Sequence, residues 1–143
     1  MPLEENKALV RRWFEVITQG ELDRVGEFIA SDMADHSAPP GVPPGPEGVR
    51  QILTMYRTAF PDLHITIEDL IAEGDKVVAR LTSQATHRGE FMGIAPTGKP
   101  VTITAIDILR IASGKFVEHW AQADFLGVLQ ELGALPAPGQ SSG

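Results

Sequence analysis

Asp107 and His119 are the residues of this 143-residue chain whose types and spacing best suit proton transfer. Each lies in an apolar stretch with strand-like alternation, Val101 to Ile111 and Phe116 to Gln122, and the intervening Ala112, Ser113 and Gly114 read as a hairpin loop. A three-residue loop sets Ile111 opposite Lys115, Leu109 opposite Val117 and Asp107 opposite His119. A carboxylate beside an imidazole orients the ring and favours its charged form, while burial raises the carboxyl group's own pKa. Either group can then take a proton from a carbon next to a carbonyl. The competing reading is a structural hydrogen bond satisfying two half-buried groups, yet Asp inside a strand is otherwise unfavourable.

These residues need a sheet to hold them. Alternation puts Ala105, Asp107, Leu109, Val117, His119 and Ala121 on one face, and Ile106, Ile108, Arg110, Phe116, Glu118 and Trp120 on the other. Two earlier strands come from the alternation of Leu63, Ile65, Ile67 and Ile71 and, after the turn Glu73-Gly74-Asp75-Lys76, from Val77 to His87. Residues 93–100 form a loop. Helical spacing of Leu9, Val10, Trp13, Phe14, Val16 and Ile17 gives a first helix over Glu4 to Gln19, stopped by Gly20. A shorter helix is expected over Glu21 to Ile29, then a proline-rich loop, then a third helix from Pro46 to about Ala59. Asp124 is placed to cap a last helix containing Phe125, Val128, Leu129 and Leu132.

Helices followed by hairpin-linked strands indicate an α+β fold with an antiparallel sheet. The length suits one domain, residues 1–135, with 136–143 as a disordered tail. Twelve Lys and Arg against nineteen Asp and Glu give a net charge of −7, and without a basic cluster nucleic acid is not an expected partner. No signal pattern or membrane-length apolar run is present, so the expectation is a cytoplasmic protein that does not enter membranes. The absence of cysteine excludes disulfides, thiolate nucleophiles and Cys-ligated metal. His36, His64, His87 and His119 show no HxH or HExxH spacing, so no metal is expected. The glycines between 89 and 98 do not link a strand to a helix as a phosphate cradle must.

The stretch Thr86-His87-Arg88-Gly89-Glu90-Phe91-Met92-Gly93-Ile94-Ala95-Pro96-Thr97-Gly98-Lys99, with Ile106-Asp107-Ile108-Leu109-Arg110-Ile111, Gly114-Lys115-Phe116-Val117-Glu118-His119-Trp120 and Asp124-Phe125-Leu126-Gly127, resembles the SnoaL-like polyketide cyclase family. The resemblance spans roughly residues 5 to 133 and implies a cone-shaped α+β barrel, a strongly curved antiparallel sheet wrapped around N-terminal helices. It also implies a pocket on the face of Asp107 and His119. Cyclases of the family close a ring by an intramolecular aldol reaction without metal or nucleotide, using an aspartate two residues beyond the position matched by His119. This chain has Ala121 there, while another family pocket position falls on Asp107, which points to a relocated carboxylate.

The expectation is therefore a cofactor-independent acid/base enzyme of the cyclase, isomerase or aldolase kind, acting on a small apolar carbonyl compound, with Asp107 and His119 catalytic. Asp35 and His36 are expected at the pocket mouth, unless they form a solvated turn. His87 lines the cavity or ends its strand in a hydrogen bond; Phe91, Ala105 and Ala121 complete the binding surface. Two other functions remain open: a non-catalytic small-ligand-binding protein, or a hydrolase similar to epoxide hydrolases, although Arg110 has the wrong parity for a carboxylate-Arg-carboxylate network. The apolar residues Ile106, Ile108, Phe116 and Trp120 share a face that a homodimer would cover.

Overall fold

The computed structural model describes residues 2–135. Helix α1 (Pro2–Gln19) leads through a short 3-10 turn (Leu22–Glu27) into strand β1 (Ile29–Asp35), followed by α2 (Gly45–Ala59), β2 (His64–Glu73), β3 (Lys76–Thr86), β4 (Pro100–Ala112), β5 (Lys115–Ala123) and α3 (Phe125–Glu131). The strands form one curved sheet in the order β1-β5-β4-β3-β2. The expected α+β cone is present: α1 lies over β2 and β3, α2 over β1, and α3 against β4.

Helix α1 buries the six residues that helical spacing selects, Leu9, Val10, Trp13, Phe14, Val16 and Ile17. Gly20 follows with φ 73°, a left-handed conformation that ends the helix cleanly. Asp124 caps α3 as expected, its Oδ1 accepting from the Gly127 amide at 2.9 Å. The tail expected over 136–143 lies outside the described residues. Among the described residues no helix is long and apolar enough to cross a membrane.

Four features differ from the sequence reading. The helix expected over 21–29 is only the 3-10 turn, and residues 29–35 form a fifth strand pairing parallel with β5. Its inward residues Ile29 and Met33 are buried, while the acidic and small residues between them hide the strand signal. In β2 the register shifts between Ile67 and Asp69, so Ile65 and Ile67 face inward but Ile71 is turned out, 60% exposed.

The β4–β5 turn has two residues rather than three: Ser113 and Gly114 both take positive φ, and Ala112 pairs with Lys115. A further register shift follows, because Ile111 pairs with Phe116 but Arg110 pairs with Glu118, leaving Val117 as the extra residue. This bulge turns Phe116 inward. Fully buried, its ring sits 5.7 Å from Trp13 and 6.4 Å from Phe28, so it cannot belong to the outer face assigned to it.

Candidate active site

Beyond the bulge the register sets Asp107 opposite Ala121 and Leu109 opposite His119. Asp107 and His119 are thus diagonal neighbours, not the direct pair expected, yet both remain on the inward face. Diagonal cross-strand positions stay within reach of long side chains. His119 Nε2 lies 3.1 Å from Asp107 Oδ2. On its other side β1 brings Asp35 alongside His119, and His119 Nδ1 lies 3.0 Å from Asp35 Oδ1. One imidazole is held between two carboxylates that are 72 residues apart in the chain.

The electrostatics follow from this clamp. Burial works against charge on His119, but the hydrogen bonds and negative charges of Asp107 and Asp35 outweigh it and push its pKa up to about 9. Near neutral pH the ring is therefore an imidazolium that donates one N–H to each carboxylate. For Asp35, burial opposes ionisation, but the bond to His119, aided by His119's charge and the Ser37 amide, holds its carboxyl below the usual range. The Ser37 amide donates to Asp35 Oδ1 at 3.0 Å, and Ser37 Oγ accepts from the Ala121 amide at 2.6 Å. These bonds continue the β1–β5 pairing beyond the end of β1 and fix Asp35 in place.

Asp107 differs from Asp35. Among the described residues its only hydrogen bond is the one from His119, so its other oxygen stays unengaged. The residues paired with it across the sheet, Ala79 on β3 and Ala121 on β5, are both small. Ala105, one step along the same face, is flanked by Leu81 and Ala123. The side chains of Asp35, Asp107 and His119 keep 14%, 15% and 19% of their surface exposed, which lets a small molecule's atoms touch them. Such a cluster can exchange protons at Asp107 while the imidazolium beside it keeps a compensating positive charge.

The remaining expected site residues divide. His36 adjoins Asp35 in sequence and so emerges on the opposite face, where it stacks on Trp120 at 5.0 Å and meets Glu118 Oε2 at 2.7 Å. It is not at the inward site. His87 is completely buried just past β3; its Nδ1 accepts from the Thr97 amide at 3.2 Å, which pins the 93–100 loop. That leaves its buried Nε2 without a partner, 5.9 Å from the Phe60 ring by centroids. Phe91 joins an aromatic group with Phe60, Tyr56 and Phe125 at 5.0 to 6.0 Å.

Tyr56 on α2 was not among the expected site residues. Burial together with the charge of Asp107 pushes its phenol up to about 12, so it stays protonated. Two surface hollows lie elsewhere: one of about 590 Å³ between α1 and β2, lined in part by Arg11, Phe14 and His64, and one of about 290 Å³ on the outward face beside Trp120 and Ile108. Neither includes Asp107 or His119.

The chain matches known proteins over most of its length. The SnoaL-like polyketide cyclase family model matches residues 7–132. Aklanonic acid methyl ester cyclase DnrD of Streptomyces peucetius is 31% identical over 128 residues, covering 87% of this chain and 88% of that one. Nogalonic acid methyl ester cyclase of Streptomyces nogalater is 30% identical over 116 residues, covering 80% and 87%. The structure of TsrD from Streptomyces laurentii superposes with a TM-score of 0.85 at 30% identity, covering 92% of this chain and 97% of that one.

Proposed function

The chain belongs to the SnoaL-like polyketide cyclase family, and from that premise we propose that it is a cofactor-independent ring-closing enzyme in which Asp107 is the base. The observation that carries this reading is the asymmetry of the clamp. Asp35 is tied to both His119 and Ser37, whereas Asp107, flanked by Ala79 and Ala121, keeps one oxygen without a hydrogen bond among the described residues. The substrate is an apolar compound with two carbonyl groups and an acidic C–H between or beside them. Asp107 takes that proton, the enolate carbon attacks the second carbonyl, and a C–C bond forms as the carbonyl π electrons move to oxygen. That oxygen then takes back the proton that Asp107 received, so no net proton is consumed.

His119 does not act as the base, because both its nitrogens already carry protons. Its Nε2–H holds Asp107 in position, and Asp35 holds the ring in register. Ala121 stands where the family resemblance puts an aspartate, and Asp107 on the neighbouring strand is its direct cross-strand partner. The carboxylate has moved across one strand while staying over the same face. Arg110 faces away and pairs with Glu118 at 2.8 Å, so it does not supply the arginine of an epoxide-hydrolase-like network.

Proton exchange tests the proposal directly. In D2O, the protein should catalyse deuterium incorporation at the acidic carbon of aklanonic acid methyl ester or nogalonic acid methyl ester, followed by ring closure. Asp107→Asn should slow exchange by roughly two to four orders of magnitude while the fold persists. Exchange by the folded variant at the original rate removes Asp107 from the base role.

We also propose that a second copy of the chain covers the outward face of the sheet. There Ile71, Val78, Ile108 and Trp120 align in one cross-strand row, and Ile106 beside them is 50% exposed. The rims carry both signs, Asp69 with Arg80 at 2.6 Å on one side and Arg110 with Glu118 at 2.8 Å on the other. Such a row with mixed-charge edges suits self-pairing about a twofold axis. Sedimentation at micromolar concentration should show a dimer that Trp120→Glu dissociates; a clean 15.5 kDa species for the unmodified chain refutes it.

A further inference from the structure

A carboxylate is a weak base toward carbon, so enolate formation in this site needs a donor for the oxygen on which negative charge gathers. The acid/base cluster has none to offer. Both N–H groups of His119 are committed to Asp35 and Asp107, and the Ser37 hydroxyl is committed to the backbone of Ala121. The threonine hydroxyls on α2, Thr54 and Thr58, are bonded back to the carbonyls of Arg50 and Thr54. His87 has an unpaired Nε2, but it is sealed in the core where no ligand atom reaches.

Tyr56 is different. It projects from α2, its ring lies 6.0 Å from Phe91, and it packs at the margin of the cluster formed by Phe60, Val101, Ile103 and Ala123. Its side chain is only partly buried, and among the described residues its hydroxyl has no hydrogen-bond partner. Ala123 of that cluster pairs with Ala105, one inward step along β4 from Asp107, so Tyr56 packs beside the stretch of β4 that carries the base. An unpaired O–H beside that stretch, on the rim of an aromatic wall, is placed to meet a substrate oxygen while Asp107 meets the adjacent carbon.

We infer that Tyr56 is the hydrogen-bond donor to the substrate oxygen that becomes negative when Asp107 removes the carbon-bound proton. The inference rests on the enolate-forming reading of the site. Helix α2 is held for this task at its start: Gly45, at φ 74°, and Gly48 pack so closely on the carbonyls of Ser31 and Pro43 that a Cβ at either would collide with backbone. The angle at which α2 crosses β1, and with it the position of Tyr56, is thereby fixed.

Phenolate ions mimic an enolate oxygen on a flat ring, so 4-nitrophenolate serves as the probe. The wild-type protein should bind it with a shifted absorption band, and Tyr56→Phe, which keeps the ring packing, should weaken binding at least about tenfold. In the deuterium-exchange assay the same variant should lose roughly a hundredfold in rate with little change in KM, as expected for a donor engaged mainly in the transition state. Equal 4-nitrophenolate affinity in the two folded proteins, or no binding by the wild type, overturns the inference. Failure of the base assignment appears separately, as exchange that survives Asp107→Asn, and leaves the phenolate comparison intact.

Discussion

The inward face of β4 passes through two regions built on opposite plans. Toward its C-terminal end Leu109 and Ile111 pack into a closed cluster with Trp13, Phe28 and Phe116, where large rings meet at 5.4 to 6.4 Å and shape alone fixes position. In the middle of the strand, Ala105 and Asp107 are flanked by Leu81, Ala79, Ala121 and Ala123, and the positions of side chains depend on hydrogen bonds instead. The first region resists change through packing density. The second holds its charged groups through the chain Ser37, Asp35, His119, Asp107. Small residues next to a carboxylate contribute little core volume, and the aromatic end supplies packing that the middle of the strand lacks.

The strongest way to break this contrast is to truncate the aromatic end. Phe116→Ala removes a fully buried ring and should cost about 3–5 kcal/mol in urea denaturation. A loss below roughly 1 kcal/mol would mean that the cluster is not the stabilising region it looks to be. The polar region should respond to pH instead. His119 has a folded pKa of about 9 against an ordinary value of 6.5, so its contribution is fully present below about pH 6.5 and disappears as pH rises through 9. The shift corresponds to a stabilisation on the order of 3 kcal/mol, shared between the two carboxylates. Denaturation midpoints at pH 6 and pH 10 should differ accordingly in the wild type and differ by less in Asp107→Asn, where one of the two anionic partners is gone and Asp35 remains. A wild-type stability flat across that range contradicts the clamp.

Much of this was legible in the sequence because periodicity is a local property. Helix α1, α2, the four later strands and the Asp124 cap all follow from spacing within a dozen residues. Two misreadings arose at the β4–β5 turn, and they happened to compensate. Taking Ser113-Gly114 as part of a three-residue loop slipped the register by one, and the unseen bulge at Val117 slipped it by one more in the same direction. A total slip of two preserves which face each residue beyond the bulge occupies, so Asp107 and His119 still met. Phe116, lying before the bulge, was assigned to the wrong side.

Strand β1 was not legible for a different reason. Ile29, Met33 and Asp35 do fall on one parity, but the sequence between them is rich in Asp and Ala, and its partner lies at the far end of the chain. No local pattern announces that Asp35 will touch His119. Once residues 29–35 are known to be extended, the exchange of Asp35 and His36 between faces follows from alternation alone.

The parallel pairing of β1 with β5 has a consequence for the order in which the molecule acquires its parts. Strands β2 to β5 follow one another in sequence and pair with their neighbours, so they can form by short-range encounters. Asp35 reaches His119 only after a loop of 84 residues has closed. Trp120 gains its stack on His36 in the same step, so a slow change in its fluorescence during refolding should coincide with the appearance of proton-exchange activity. A chain caught partway through folding can own most of its sheet before Asp35 and His119 meet.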